Sequence, residues 1–220
     1  LALYLYAQNA MHPNEREPLR RLSRGITLLF YSLEIYAFSF LSLLIFQFFS
    51  RQLVIVSVIA ILLAFILSVI GKIYCLGCPS RLPGKVMIQV SVVLEAISLG
   101  IGIYVYYLFW RTLTTFVVPN ARLIELLGTI SQLAGNGAFI ALIVFLKGTA
   151  DFQRSRPLAD KASTLLLVVL FLLAVPILLP ILSPLAPLIA LSALVMILVA
   201  VVLLSQLLLG LKESLLLSLV

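Results

Sequence analysis

Runs of apolar residues long enough to cross a bilayer recur along the chain, and nothing constrains its fold more. They cover roughly residues 26–49, 53–74, 86–110, 121–147, 162–179 and 188–211. A span of about 20 apolar residues crosses the hydrocarbon core as an α-helix, because every backbone group must find its partner within the segment. The expected fold class is therefore all-α: a polytopic membrane helix bundle of six transmembrane helices. With 63% hydrophobic and 10% charged residues, the 220-residue chain leaves no length for a separate soluble domain. Residues 1–25 read as a basic N-terminal segment, 26–211 as the membrane domain and 212–220 as a short tail. The chain begins on Leu1, with Met11 as an alternative start. Residues 1–7 are too few to span and suit an aromatic anchor in the interface.

Charge sets the expected orientation. With the N-terminus inside, the outer segments hold Arg51, Arg111 and Arg122. The other 12 of the 15 lysines and arginines fall on inner segments. That bias places both termini in the cytoplasm and the protein in the cytoplasmic (inner) membrane. The net charge of +7 is thus a topology signal and no sign of a nucleic-acid partner.

The fourth span, from the N-cap candidate Asn120 to Lys147, carries the most polar residues. Glu125, Thr129, Gln132 and Asn136 fall at i, i+4, i+7 and i+11, which is one stripe of a helix. Gly128, Ser131, Gly135 and Ala138 form an adjacent face of small residues, which lets another helix approach closely. This span is expected inside the bundle, with the others around it.

Intramembrane carboxylates are costly and suggest function. Counted from the inner ends of their spans, Glu34 and Glu95 lie about 12–14 Å deep and Asn136 about 16 Å, at 1.5 Å per residue. Glu34, Glu95, Gln132 and Asn136 are therefore expected to meet as a buried polar cluster, a candidate proton or cation site. With every lysine and arginine assigned to loops or span ends, at least one carboxyl is expected to be neutral or to share a proton or cation. Cross-helix hydrogen bonding as structural glue is the alternative role. Tyr31, Tyr36, Tyr104, Tyr106 and Tyr107 are suited either to lining a pocket for a quinone, pigment or lipid, or to anchoring at the interface.

Cys75 and Cys78 form the C-x-x-C of GKIYCLGCPSRLPGK, residues 71–85, whose three Gly and two Pro predict a loop. They are the candidate redox or metal pair. A metal site would need a second chain to complete its ligands. The alternative is a turn whose small apolar thiols pack at the membrane edge. With two Cys and one His, no catalytic set or metal ligand set assembles within the chain. No cofactor is implied, although a hydrophobic cofactor or lipid would fit between helices.

The stretch Gly71–Pro79, followed by a serine-bearing span, together with Phe145–Phe152, resembles uncharacterised small multi-span membrane proteins of planctomycete-type bacteria. In that pattern Gly-Lys/Arg follows the second span and C-L-x-x-P precedes the third. The pattern does not require Cys78, and the resemblance implies no activity. The expected function is a non-enzymatic accessory or structural subunit of a membrane complex, with other membrane subunits and the lipid bilayer as partners. A small proton- or cation-coupled carrier using Glu34 and Glu95 is the second reading. A protein binding a quinone, pigment or lipid between helices is the third.

Overall fold

A computed structural model describes residues 13–46, 51–115, 120–181 and 186–219. These form six helices: α1 Pro13–Phe46, α2 Arg51–Leu76, α3 Lys85–Thr115, α4 Ala121–Phe152, α5 Arg156–Ile181 and α6 Ala186–Leu219. Each is long and apolar enough to cross a membrane, and no strand occurs among the described residues. The expected aromatic anchor at residues 1–7 lies outside them.

Where described, the expected spans are helical, and each helix runs beyond its expected span at one or both ends. The Arg-rich lead-in is the first part of α1, where Leu19, Leu22 and Ser23 are buried and Arg16, Arg20 and Arg24 are exposed. An amphipathic start of this kind packs one face while its charges stay in water. Pro18 lies in its second turn, where its ring forgoes the bond to the Asn14 carbonyl.

The hydrophilic loop expected at 148–161 shrinks to Gln153–Ser155. The Ser155 N–H bonds the Ala150 carbonyl (3.0 Å) and the Arg154 N–H bonds the Asp151 carbonyl (2.9 Å). That pair of bonds closes α4 in a Schellman motif. Arg154, at φ 54°, holds the left-handed position that glycine usually takes. At the other end of α4 the Asn120 side chain accepts from the Arg122 N–H at 3.0 Å, so the expected N-cap is present.

Residues 71–74, where the expected span and the expected loop overlapped, and 75–76, read as loop, continue α2. A glycine inside a helix costs about 1 kcal/mol relative to alanine, but Gly71 sits where α1 crosses. A Cβ on Gly25 would lie 2.7 Å from the Gly71 carbonyl and 2.6 Å from the Cys75 Sγ. Close backbone approach therefore offsets the poor propensity. The loop proper is 77–84, which folds back on α4. Gly84 takes φ +87°, a value that favours glycine, and Gly148 packs directly on the Pro83 carbonyl.

Each helix packs on its neighbours in sequence, α2 on α3 least extensively, and α6 returns to α1. The result is a ring of six helices. The fourth span is one wall of that ring and not its axis, contrary to expectation. The small-residue face was the deciding one. The Ser98 hydroxyl of α3 donates to the Ser131 carbonyl (2.9 Å), Ser131 donates to the Ser98 carbonyl (3.1 Å), and Ser91 donates to the Ala138 carbonyl (2.7 Å). The stripe of Glu125, Thr129 and Gln132, roughly 110° around α4 from the small face at 100° per residue, is left exposed.

The buried core lies at one end of the ring. Leu19, Leu22 and Ile26 of α1 meet Leu207, Leu211 and Leu215 of α6 and Phe145 and Leu146 of α4. Lys212 stands 5.3 and 5.0 Å over the rings of Phe30 and Tyr31, a cation–π contact that ties α6 to α1. At the opposite end Tyr104, Tyr106, Tyr107, Phe109, Trp110, Leu188 and Leu191 are exposed. Among the described residues the buried core is concentrated at the end bearing the 77–84 loop.

Candidate functional site

Beside this core the helices border a partly open cavity of about 710 Å³, within the range of ligand pockets. Helical periodicity explains which residues line it. Phe65, Ser68 and Lys72 recur at i, i+3 and i+7 on α2, and Glu95, Ser98, Gly102 and Tyr106 at i, i+3, i+7 and i+11 on α3. Leu29, Leu33 and Tyr36 of α1, Phe139 of α4 and Leu208 of α6 supply most of the remaining, apolar wall. From Glu95 to Tyr106 the cavity extends about 16 Å along α3 at 1.5 Å per residue.

Beside the hydroxyls of Ser32, Ser68, Ser98, Tyr36 and Tyr106, the cavity holds one ion pair. The Lys72 Nζ donates to the Glu95 Oε2 at 2.6 Å, and the two side chains are 6% and 18% exposed. The expectation of no cation near Glu95 fails here, because Lys72 had been assigned to a loop. It lies on α2, one turn from the helix C-terminus, where the dipole favours a cation. Its four-carbon stem carries the ammonium across to α3. An ammonium has three N–H groups and a carboxylate two oxygens. The one bond between them leaves both groups with capacity for a ligand.

The four residues expected to cluster do not do so. Glu95 lines the cavity. Glu34 is exposed, roughly 150° around α1 from the cavity-lining Leu29, Ser32, Leu33 and Tyr36 at 100° per residue. Gln132 is exposed and Asn136 half-buried, and neither lines the cavity. Rotation about the helix axes separates the groups. Of the tyrosines, Tyr36 and Tyr106 line the cavity, Tyr31 lies under Lys212, and Tyr104 and Tyr107 are exposed at the end opposite the core. Lys72 is the residue that sequence reasoning missed. The available signal was its place seven residues after Phe65 on one face of an unbroken apolar helix.

Cys75 and Cys78 are both free thiols and both buried. Cys75 packs against Gly25 where α1 crosses α2, and Cys78 sits in the turn after α2, its N–H bonding the Cys75 carbonyl at 3.1 Å. Burial pushes the Cys78 thiol above its ordinary value, partly opposed by the charge of Lys85. Among the described residues no group of three or more His, Cys, Asp and Glu side chains is placed to hold a metal ion. In this geometry the thiols act as small apolar packing groups.

Comparison with protein-family models, with curated proteins and with solved structures gave no match.

Proposed function

We propose that this protein binds an uncharged amphiphile inside the membrane, with the tail along the apolar wall and the polar head on Lys72 and Glu95. The observation that carries this reading is the cavity. A purely structural subunit is served by a solid core, and here a cavity of about 710 Å³ lies between the helices. A carrier based on two carboxylates needs both in one compartment, and Glu34 lies outside the cavity that holds Glu95.

The chemistry of the base narrows the ligand. Apart from the tyrosines, Lys72 and Glu95 are the ionisable groups among the lining residues. Together they are neutral. A phosphate or other anionic head would add an uncompensated charge in a low-dielectric site, which is costly. A neutral head that both accepts and donates, such as a hydroxyl, quinol or amide, can bond the ammonium and the carboxylate together. The sparsely packed α2–α3 seam is the route by which such a molecule would enter.

The test uses Gly102. A Cβ there meets nothing within 4 Å, and Gly102 lines the cavity, so Gly102→Phe places a ring at the cavity wall with its Cβ free of contacts. The wild-type protein, purified in mild detergent and extracted with organic solvent, should yield a defined neutral amphiphile near one per chain by mass spectrometry. Gly102→Phe should yield at least tenfold less while its unfolding temperature stays level or rises. Equal recovery from both proteins would defeat the proposal.

We also propose that both termini face the cytoplasm. Arg51, Arg111 and Arg122 lie at the helix ends remote from the termini, and the other lysines and arginines at or towards the near ends. Reporters fused after residue 220 or inserted at 155 should be cytoplasmic, and those at 115 or 183 external. An external signal at 155 would reverse the orientation.

A further inference from the structure

A second recess lies between the N-terminal part of α1 and the C-terminal end of α2 and shares no lining residue with the central cavity. Its volume is about 440 Å³, and Glu17, Arg21, Arg24, Ile73, Tyr74 and Gly77 line it. We propose that it holds the headgroup of an anionic phospholipid.

The two walls differ in chemistry. Arg21 and Arg24, three residues apart, stand on one side of α1. Exposed Arg16 and Arg20 continue the charge along the same helix. Arg21 is engaged by Glu17, Nε to Oε1 at 3.3 Å, but with 56% and 60% of the side chains exposed such a pair is weak and easily exchanged. Arg24 has no side-chain partner among the described residues. The facing wall is apolar and aromatic: Ile73 is 54% exposed and Tyr74 39%. Tyrosine near a span end marks the headgroup level. Just beyond Arg24, towards the membrane, α1 turns apolar at Ile26.

A recess at that level with guanidinium groups on one side and exposed apolar surface on the other matches both halves of a lipid. The phosphate takes the bidentate donors of arginine, and the first part of an acyl chain covers Ile73. A free phosphate ion would leave the apolar wall uncovered. Glu17 acts against the ligand, since it repels the phosphate and competes for Arg21.

The experiment uses the full chain in detergent, with binding of phosphatidylglycerol and phosphatidylcholine compared by native mass spectrometry at low salt. Phosphatidylglycerol should be preferred. Arg21→Gln and Arg24→Gln should each lower its affinity roughly fivefold, the factor expected per basic residue at a membrane surface. Glu17→Gln should raise it. Arg156→Gln, a change at an exposed arginine outside the recess, should leave it unaltered. These side chains are exposed, so the substitutions should not disturb folding, and a thermal melt checks that. Soluble glycerol phosphate should compete poorly. Equal binding of the two lipids, or an Arg21→Gln/Arg24→Gln double variant that binds like Arg156→Gln, would overturn the proposal. So would competition by glycerol phosphate at the concentration of the lipid itself, which would make the recess a site for free anions.

Discussion

Replacing Lys72 by methionine should destabilise the bundle by about 3 kcal/mol, a value common to stranding one member of a buried ion pair and to placing a lone charge within a membrane helix. The carboxylate of Glu95 would lose the cation 2.6 Å away and would have to protonate or draw water into the cavity. Glu95→Leu should cost a similar amount by stranding Lys72. The combined change Lys72→Met/Glu95→Leu should recover most of the loss, because no unpaired charge remains and the new side chains suit the apolar wall. Reversible unfolding in mixed micelles measures all three. Losses that simply add in the double variant would show that the two groups are not coupled. The same double variant separates folding from binding. It should be folded, yet without donor and acceptor at the base it should retain little of the proposed ligand.

Glycine substitutions should give opposite signs in different parts of the molecule. At Gly148 a Cβ would run into the Pro83 carbonyl, and at Gly25 it would press on both the Gly71 carbonyl and the Cys75 Sγ. In each case backbone lies on both sides, so relief requires α1 and α2 to part at Gly25 and the 77–84 loop to lift off α4 at Gly148. Gly148→Ala and Gly25→Ala should each cost about 1–3 kcal/mol, the usual range for overpacking, with Gly148 the worse. At Gly128 and Gly100 an added Cβ meets nothing within 4 Å. There alanine should gain up to about 1 kcal/mol of helix propensity. Thermal unfolding of the four single variants makes the comparison. If Gly148→Ala melts as high as Gly128→Ala, the 77–84 loop does not rest on α4 as described.

What the sequence by itself determined is what depends on a single helix. Hydropathy and length are local properties, so the six spans were legible, as were the cap at Asn120 and the small face of α4 that Ser91 and Ser98 of α3 now bond. Only the tertiary structure decided what depends on two helices at once. Whether Gly71 and Cys75 belong to a loop or a helix turned on Gly25, 46 residues earlier, which allows α1 to approach closely enough to offset a poor propensity. Whether Glu95 had a cation turned on Lys72, whose position near a helix end suggested solvent until the packing of α2 beside α3 brought its ammonium within 2.6 Å. Glu34 and Glu95 share an expected depth but not a compartment. The rotation of a helix about its axis is set by the side chains of its neighbours, and no pattern within α1 alone contains that information.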